Sequence, residues 1–177
     1  MCITHTKDTE TRGMGLQLSK DGIEILGLGL HFDEMVVGRK IRTVGRTITE
    51  ADLVSFVNAT GFTEVLFTNT EFLKKDSDIN GRLVPGALVF SMAEGLIMQA
   101  AMQHTGYAFL EMDMKIHGPT FVGNTIEVIS EITEARPSKS RPDRGIVRTV
   151  NTVVNEEGKA LMTYTPLRFV KRVTDQA

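Results

Sequence analysis

One cysteine, Cys2, stands in a chain of 177 residues, close to the N-terminal end. Neither an internal disulfide framework nor a cysteine-based metal site can form within one such chain, and a reducing, cytoplasmic setting fits best. An excess of charge of one sign is also lacking. The 20 lysines and arginines against 22 aspartates and glutamates leave a net charge of -2, which offers no field for steering polyanions, so nucleic acid is not an expected partner. No apolar run approaches the roughly 18 residues of a membrane span. The opening MCITHTKDTETRG carries charges and hydroxyls where a secretory leader needs an apolar stretch. No two histidines have metal-ligand spacing, and there is no internal repeat. Neither a metal nor a cofactor is expected.

What is present is ordinary in amount, 41% hydrophobic and 24% charged, and the length suits one domain with a proper core. Residues 1–31 read as an N-terminal arm, a polar lead followed by the glycine-spaced GIEILGLGLHF, expected to lie extended on the domain. RKIRTVGRTI is rich in β-branched residues and reads as a strand. In TEADLVSFVNATG, Thr49 with Asp52 three residues on predicts a capping box, and Gly61 a stop. The stretch from Gly86 to Gly106, GALVFSMAEGLIMQAAMQHTG, is apolar nearly all round. That pattern predicts a buried helix over Gly86–His104, opened by Pro85 and closed by Thr105 and Gly106.

Four strand-like runs follow: YAFLEMDMKIHG, NTIEVISEITEAR, GIVRTVNTVVNEEG and KALMTYTPLRFVKR. A helix first and strands afterwards is an α+β order, satisfied by a curved antiparallel sheet wrapped around one long central helix.

Five strings, RTITEADLVSF, GRLVPGALVFSMAEG, GPTFVGNTIEV, RPSKSRPDRG and VNEEGKALMTY, stand in the order and near the spacing of the MaoC-like dehydratases, the (R)-specific enoyl-CoA hydratases. The chain resembles that family over about residues 32–172, leaving 173–177 as a tail. The resemblance implies a hot dog fold, dimerisation through the sheets, and acyl-CoA substrates entering beside the helix.

The family's hydration motif reads Gly-Asp-x-Asn-Pro-x-His. Laid without a gap on GFTEVLF, it gives Gly61 for the glycine, Phe62 for the aspartate, Glu64 for the asparagine, Val65 for the proline and Phe67 for the histidine. A phenyl ring has no proton to exchange, so neither position can supply acid/base catalysis, worth about 10²–10⁴-fold per group. Phe62, Val65, Leu66 and Phe67 read as core residues filling space that polar catalysts occupy in relatives, or as a reshaped pocket wall. Glu64 is either a relocated acid/base group or a loop carboxylate in water.

One family element stands intact. The free amides at the helix start, at Gly86, form a natural donor site for a thioester carbonyl. Glu94, about 12 Å further along the helix axis, is the second candidate catalytic group. Some hot dog thioesterases resemble this pairing of helix-start glycine and later carboxylate. The plainer alternative places Glu94 on a wet helix edge with Gln99 and Gln103. Arg136, Lys139, Arg141 and Arg144 make a basic loop that is either a CoA phosphate site or a solvated hairpin tip paired with Asp143. His117 reads as a hydrogen-bonded strand-end residue, and His104 as the last turn of the helix. Three functions follow: a divergent enoyl-CoA hydratase using Glu64, an acyl-CoA thioesterase using Glu94, or a non-catalytic acyl-CoA-binding or scaffold subunit. The expected assembly is a homodimer or higher oligomer, with a heteromer containing an intact MaoC-like chain as the alternative.

Overall fold

The computed structural model describes residues 19–173. Its axis is helix α4, Gly86–Ile97, opened by Pro85 in extended geometry and burying Leu88, Val89, Met92, Ala93, Leu96 and Ile97. Each of the larger side chains contributes about 1.5–3 kcal/mol by leaving water. The helix does not run to His104. Its hydrogen-bond ladder widens to a π-turn over Met98–Met102, and His104 lies beyond, in a left-handed turn with φ 62°. The carbonyls released there are taken up by the incoming chain, where the amides of Gly29 and Leu30 donate to Gln103 and Ala101 at 2.8 and 2.9 Å. Only a glycine fits at position 29, since a Cβ would stand 2.5 Å from the Ala101 carbonyl oxygen. The apolar lead is therefore anchored at its end, while Ile23, Ile25 and Leu26 stay exposed. The polar lead MCITHTKDTETRG lies outside the described residues.

Around this helix curls an eight-stranded sheet in which every pairing is antiparallel. RKIRTVGRTI forms two short strands, β1 (Lys40–Arg42) and β2 (Arg46–Thr47). The other strands are β3 (Gly106–Glu111), β4 (Met114–Ile116), β5 (Thr125–Pro137), β6 (Arg144–Val154), β7 (Ala160–Tyr164) and β8 (Leu167–Lys171). β1 and β2 pair with one side of β5, whose other side pairs with β6. β6 then pairs with both β7 and β8, which carry β4 and β3 at the far edge. Two of the runs expected as single strands are thus bent in two. The bends fall at Met112–Asp113 and at Thr165–Pro166, where proline offers no ladder donor. They lie side by side, joined by the Thr165 amide donating to the Asp113 carbonyl at 2.9 Å. A sheet that wraps a helix must turn such a corner.

Alternate residues of β5 and β6, among them Ile126, Val128, Ser130, Val147, Asn151 and Val153, are buried, which sets one sheet face against α4. Helix α1, Glu50–Thr60, closes the open end with Leu53 and Val57 buried, and its capping box and left-handed Gly61 stand where expected. The stretch after Gly61 is more helical than it reads, forming α2 (Val65–Thr68) and α3 (Thr70–Lys75).

Candidate functional site

A pocket of about 220 Å³ opens at the start of α4. Pro85 and Gly86 form its end, Phe67, Val89, Ile116, Leu161 and Met162 give apolar walls, and Leu83, Val84 and the Gly118–Thr120 turn complete the lining. None of these side chains ionises. Pro85 gives the helix no side-chain cap. The amides of Leu88 and Val89 turn back to the Pro85 carbonyl at 2.9 and 3.2 Å, leaving those of Gly86 and Ala87 as the helix's free donors, with its dipole behind them. A Cβ at Gly86 would meet Ile116 Cδ1 at 2.7 Å, so glycine keeps this mouth open.

The aromatic loop divides between wall and surface. Phe67 is half-buried on the pocket wall, whereas Phe62, expected in the core, is 42% exposed. Its ring bridges Phe56 and Phe67 at centroid distances of 5.6 and 6.1 Å. The reason lies in Gly61, whose left-handed turn swings the next residue off the end of α1. Glu64 is exposed, and its carboxylate caps α2 by accepting from the Leu66 amide at 2.7 Å. Sequence reasoning missed Arg82, which donates to the Phe67 carbonyl at 2.6 Å and grips Glu50 through Nε and Nη2. That clamp fixes the pocket wall to α1. Its only signal was an arginine beside the family-like LVPG string.

Glu94 is not on a wet edge. Both of its carboxylate oxygens accept from Arg168 Nη2 at 2.7 Å, with only 16% of the glutamate and 6% of the arginine side chain exposed. Arg168 also lies over the Phe109 ring, 4.6 Å from its centroid. The buried Tyr164 hydroxyl is close to Glu94 and Asn151; burial first, and then the Glu94 charge, push its pKa above the ordinary phenol range. Arg168 was legible in principle, since it shares the parity of buried Val170 on β8.

The basic loop does not converge. Arg136 pairs with Glu134 at 2.7 Å. Arg144 is buried, paired with Asp143 at 2.6 Å and stacked 3.6 Å from the Tyr107 ring centroid. Lys139 and Arg141 remain exposed. His117 is a strand-end residue whose Nε2 lies 2.8 Å from Thr163 Oγ1. Among the described residues no group of His, Cys, Asp or Glu is placed to hold a metal ion, and no helix is long and apolar enough to cross a membrane.

The fold recurs in solved structures. A monoamine oxidase regulatory protein from Archaeoglobus is 26% identical, with a TM-score of 0.73 over 85% of this chain and 100% of that one. The unliganded R-hydratase from Pseudomonas aeruginosa is 19% identical, with a TM-score of 0.69 over 81% and 87%. A Mycobacterium tuberculosis protein with a double hot dog fold is 18% identical, with a TM-score of 0.75 over 84% of this chain and 46% of that one. No curated protein matches the chain. The family model of the MaoC-like domain matches residues 33–155. With that match spanning most of the chain, and with a hot dog fold around a central helix, the protein belongs to the MaoC-like dehydratase domain family.

Proposed function

We propose that the protein binds acyl thioesters, acyl-CoA among them, with the thioester carbonyl on the amides of Gly86 and Ala87 and the acyl chain in the apolar pocket. The family's hydration chemistry does not run through positions 62 and 67. One observation carries this reading: the pocket at the uncapped helix start has no ionisable side chain in its lining. Donors for a carbonyl are present, and a group to move a proton is not. A thioesterase route through Glu94 would require its carboxylate to leave Arg168, so binding is the better-supported function.

The far edge of the sheet supports a paired assembly. β3 and β4 are each paired on one side only and expose Tyr107, Phe109, Leu110, Met114 and Ile116. Ile116 belongs both to this edge and to the pocket wall, so a second chain laid along the edge would also cover the pocket. A second copy gives a homodimer. An intact MaoC-like chain in that place would bring the aspartate and histidine that this one lacks. A panel of enoyl-CoA and saturated acyl-CoA esters, followed by calorimetric binding, double-bond absorbance and free thiol, tests the reading. Binding with neither chemical signal is the expected result, and rapid loss of enoyl absorbance or release of thiol overturns it.

A further inference from the structure

A second cavity, of about 290 Å³, opens between α3 and the segment Ile79–Arg82. It shares no lining residue with the pocket at the start of α4. Its origin is local. In α3 only Leu73 is fully buried, and the chain beyond the helix turns at Ser77, whose hydroxyl accepts from the Ile79 amide at 3.0 Å. The opposite wall is fixed. Gly81, at φ 125°, passes so close to Phe121 that a Cβ would stand 2.9 Å from its ring. The Val122 and Val84 amides then donate to the Arg82 and Thr120 carbonyls, each at 2.9 Å.

Leu73 and Ile79 give this cavity an apolar floor, and around them stand the Thr70 hydroxyl, the Asn80 amide, the Lys74 ammonium and the Arg82 guanidinium. None of the lining residues is acidic. Nearby carboxylates claim the two cations unequally. Arg82 is committed, with Nε and Nη2 on Glu50 and Nη1 on the Phe67 carbonyl at 2.6 Å. Glu71 is instead shared between Lys74 at 2.8 Å and Lys75 at 3.7 Å, with all three side chains at least 60% exposed. Pairs so exposed hold weakly, and two cations on one carboxylate leave a net positive charge at this end of α3. Asp76 and Asp78, on the loop that follows, are exposed and do not line the cavity.

The lining selects its complement. An apolar floor under a rim of donors fits an apolar body with one acceptor end, and the spare cation makes that end an anion. One net charge does not match a phosphate-rich ligand. We propose that this cavity is a binding site for a small aliphatic monocarboxylate, its chain on Leu73 and Ile79 and its carboxylate on Lys74 and Asn80. The site is distinct from the acyl-thioester pocket and does not depend on that reading.

Calorimetric titration of the full chain at neutral pH with hexanoate, 1-hexanol and hexylamine tests this. Hexanoate is expected to bind about tenfold more tightly than the alcohol, the worth of one charge-assisted contact, and the amine most weakly. Lys74→Gln should remove that tenfold advantage and leave hexanol and butyryl-CoA unaffected. Lys139→Gln, which removes an exposed cation on the β5–β6 hairpin, should change nothing. Ile79→Trp, which fills the cavity, should weaken hexanoate and hexanol alike. Absence of hexanoate binding, equal binding of acid and alcohol, or an advantage that survives Lys74→Gln overturns the site. Displacement of hexanoate by saturating butyryl-CoA also overturns it, since the acid then occupies the pocket at Gly86. Failure of butyryl-CoA to bind overturns the acyl-thioester reading alone, and the Lys74→Gln comparison still decides the carboxylate site.

Discussion

Arg168 Nη2 stands 2.7 Å from each carboxylate oxygen of Glu94, joining the central helix to β8 inside the core. Two charges removed from water in this way are mutually dependent. Glu94→Leu strands the arginine and is expected to cost about 3–5 kcal/mol, whereas Glu94→Leu with Arg168→Met replaces the pair by apolar groups and costs far less than the two single losses added. Urea unfolding of the three variants measures this. A Glu94 substitution that leaves the unfolding midpoint unchanged yet abolishes thioester hydrolysis would return the residue to a catalytic role.

The start of α1 carries a stability term that depends on pH. Asp52 is held below its ordinary pKa of 3.8 chiefly by the Thr49 hydroxyl and the Thr49 amide, with Arg46 adding a smaller share against the opposing effect of burial. A depressed folded pKa stabilises the protein above the unfolded value, and the benefit is lost as pH falls through the folded value. Asp52→Asn should therefore be less stable than the parent at neutral pH, with the gap closing below about pH 4. Thr49→Ala should cost about 0.5–2 kcal/mol. Thermal unfolding across a pH series checks both, and a gap that widens in acid would refute the assignment.

Restoring the family's two polar groups gives a gain-of-function test. Phe67→His places an imidazole on the pocket wall, while Phe62→Asp lies one ring away on the surface. Since Phe62 is 42% exposed, the pair should cost less than the roughly 3–5 kcal/mol lost for each fully buried ring. A gain in enoyl-CoA hydration of about 10²-fold, the lower end for acid/base groups, is expected from enoyl absorbance. A folded double variant that binds the ester without any gain would show that the loop stands away from the carbonyl.

Gly86→Ala pushes a methyl towards Ile116 Cδ1, where it would stand at 2.7 Å. The isoleucine is 56% exposed and ends in a movable methyl, so the unfolding midpoint should hold. Acyl-CoA affinity should fall about tenfold, or 1.4 kcal/mol, because the moved side chain narrows the pocket. Unchanged affinity would place the ligand elsewhere.

The elements read most surely from sequence were those whose causes are local. Thr49, Asp52 and Gly61 dictate α1 by capping chemistry alone, and the apolar stretch after Pro85 had to be buried. What the sequence concealed depended on distant partners. The split of KALMTYTPLRFVKR at Pro166 follows from wrapping the helix, and the carbonyls of Ala101 and Gln103 beyond the end of α4 find their partners in the distant amides of Leu30 and Gly29. Glu94 was visible as an acid on an apolar helix, but its partner lies 74 residues away, beyond any local pattern. Phe62 reads as core by composition and is turned outward by the geometry of one preceding glycine.

The central claim, that the start of α4 holds a thioester carbonyl, is tested most directly by the infrared stretch of butyryl-CoA labelled with carbon-13 at that carbonyl, bound against free. Donation from the Gly86 and Ala87 amides, backed by the helix dipole, polarises the bond, and the account predicts a shift to lower frequency on binding. A bound ester whose carbonyl frequency equals or exceeds that in water, or an ester that does not bind, would contradict it.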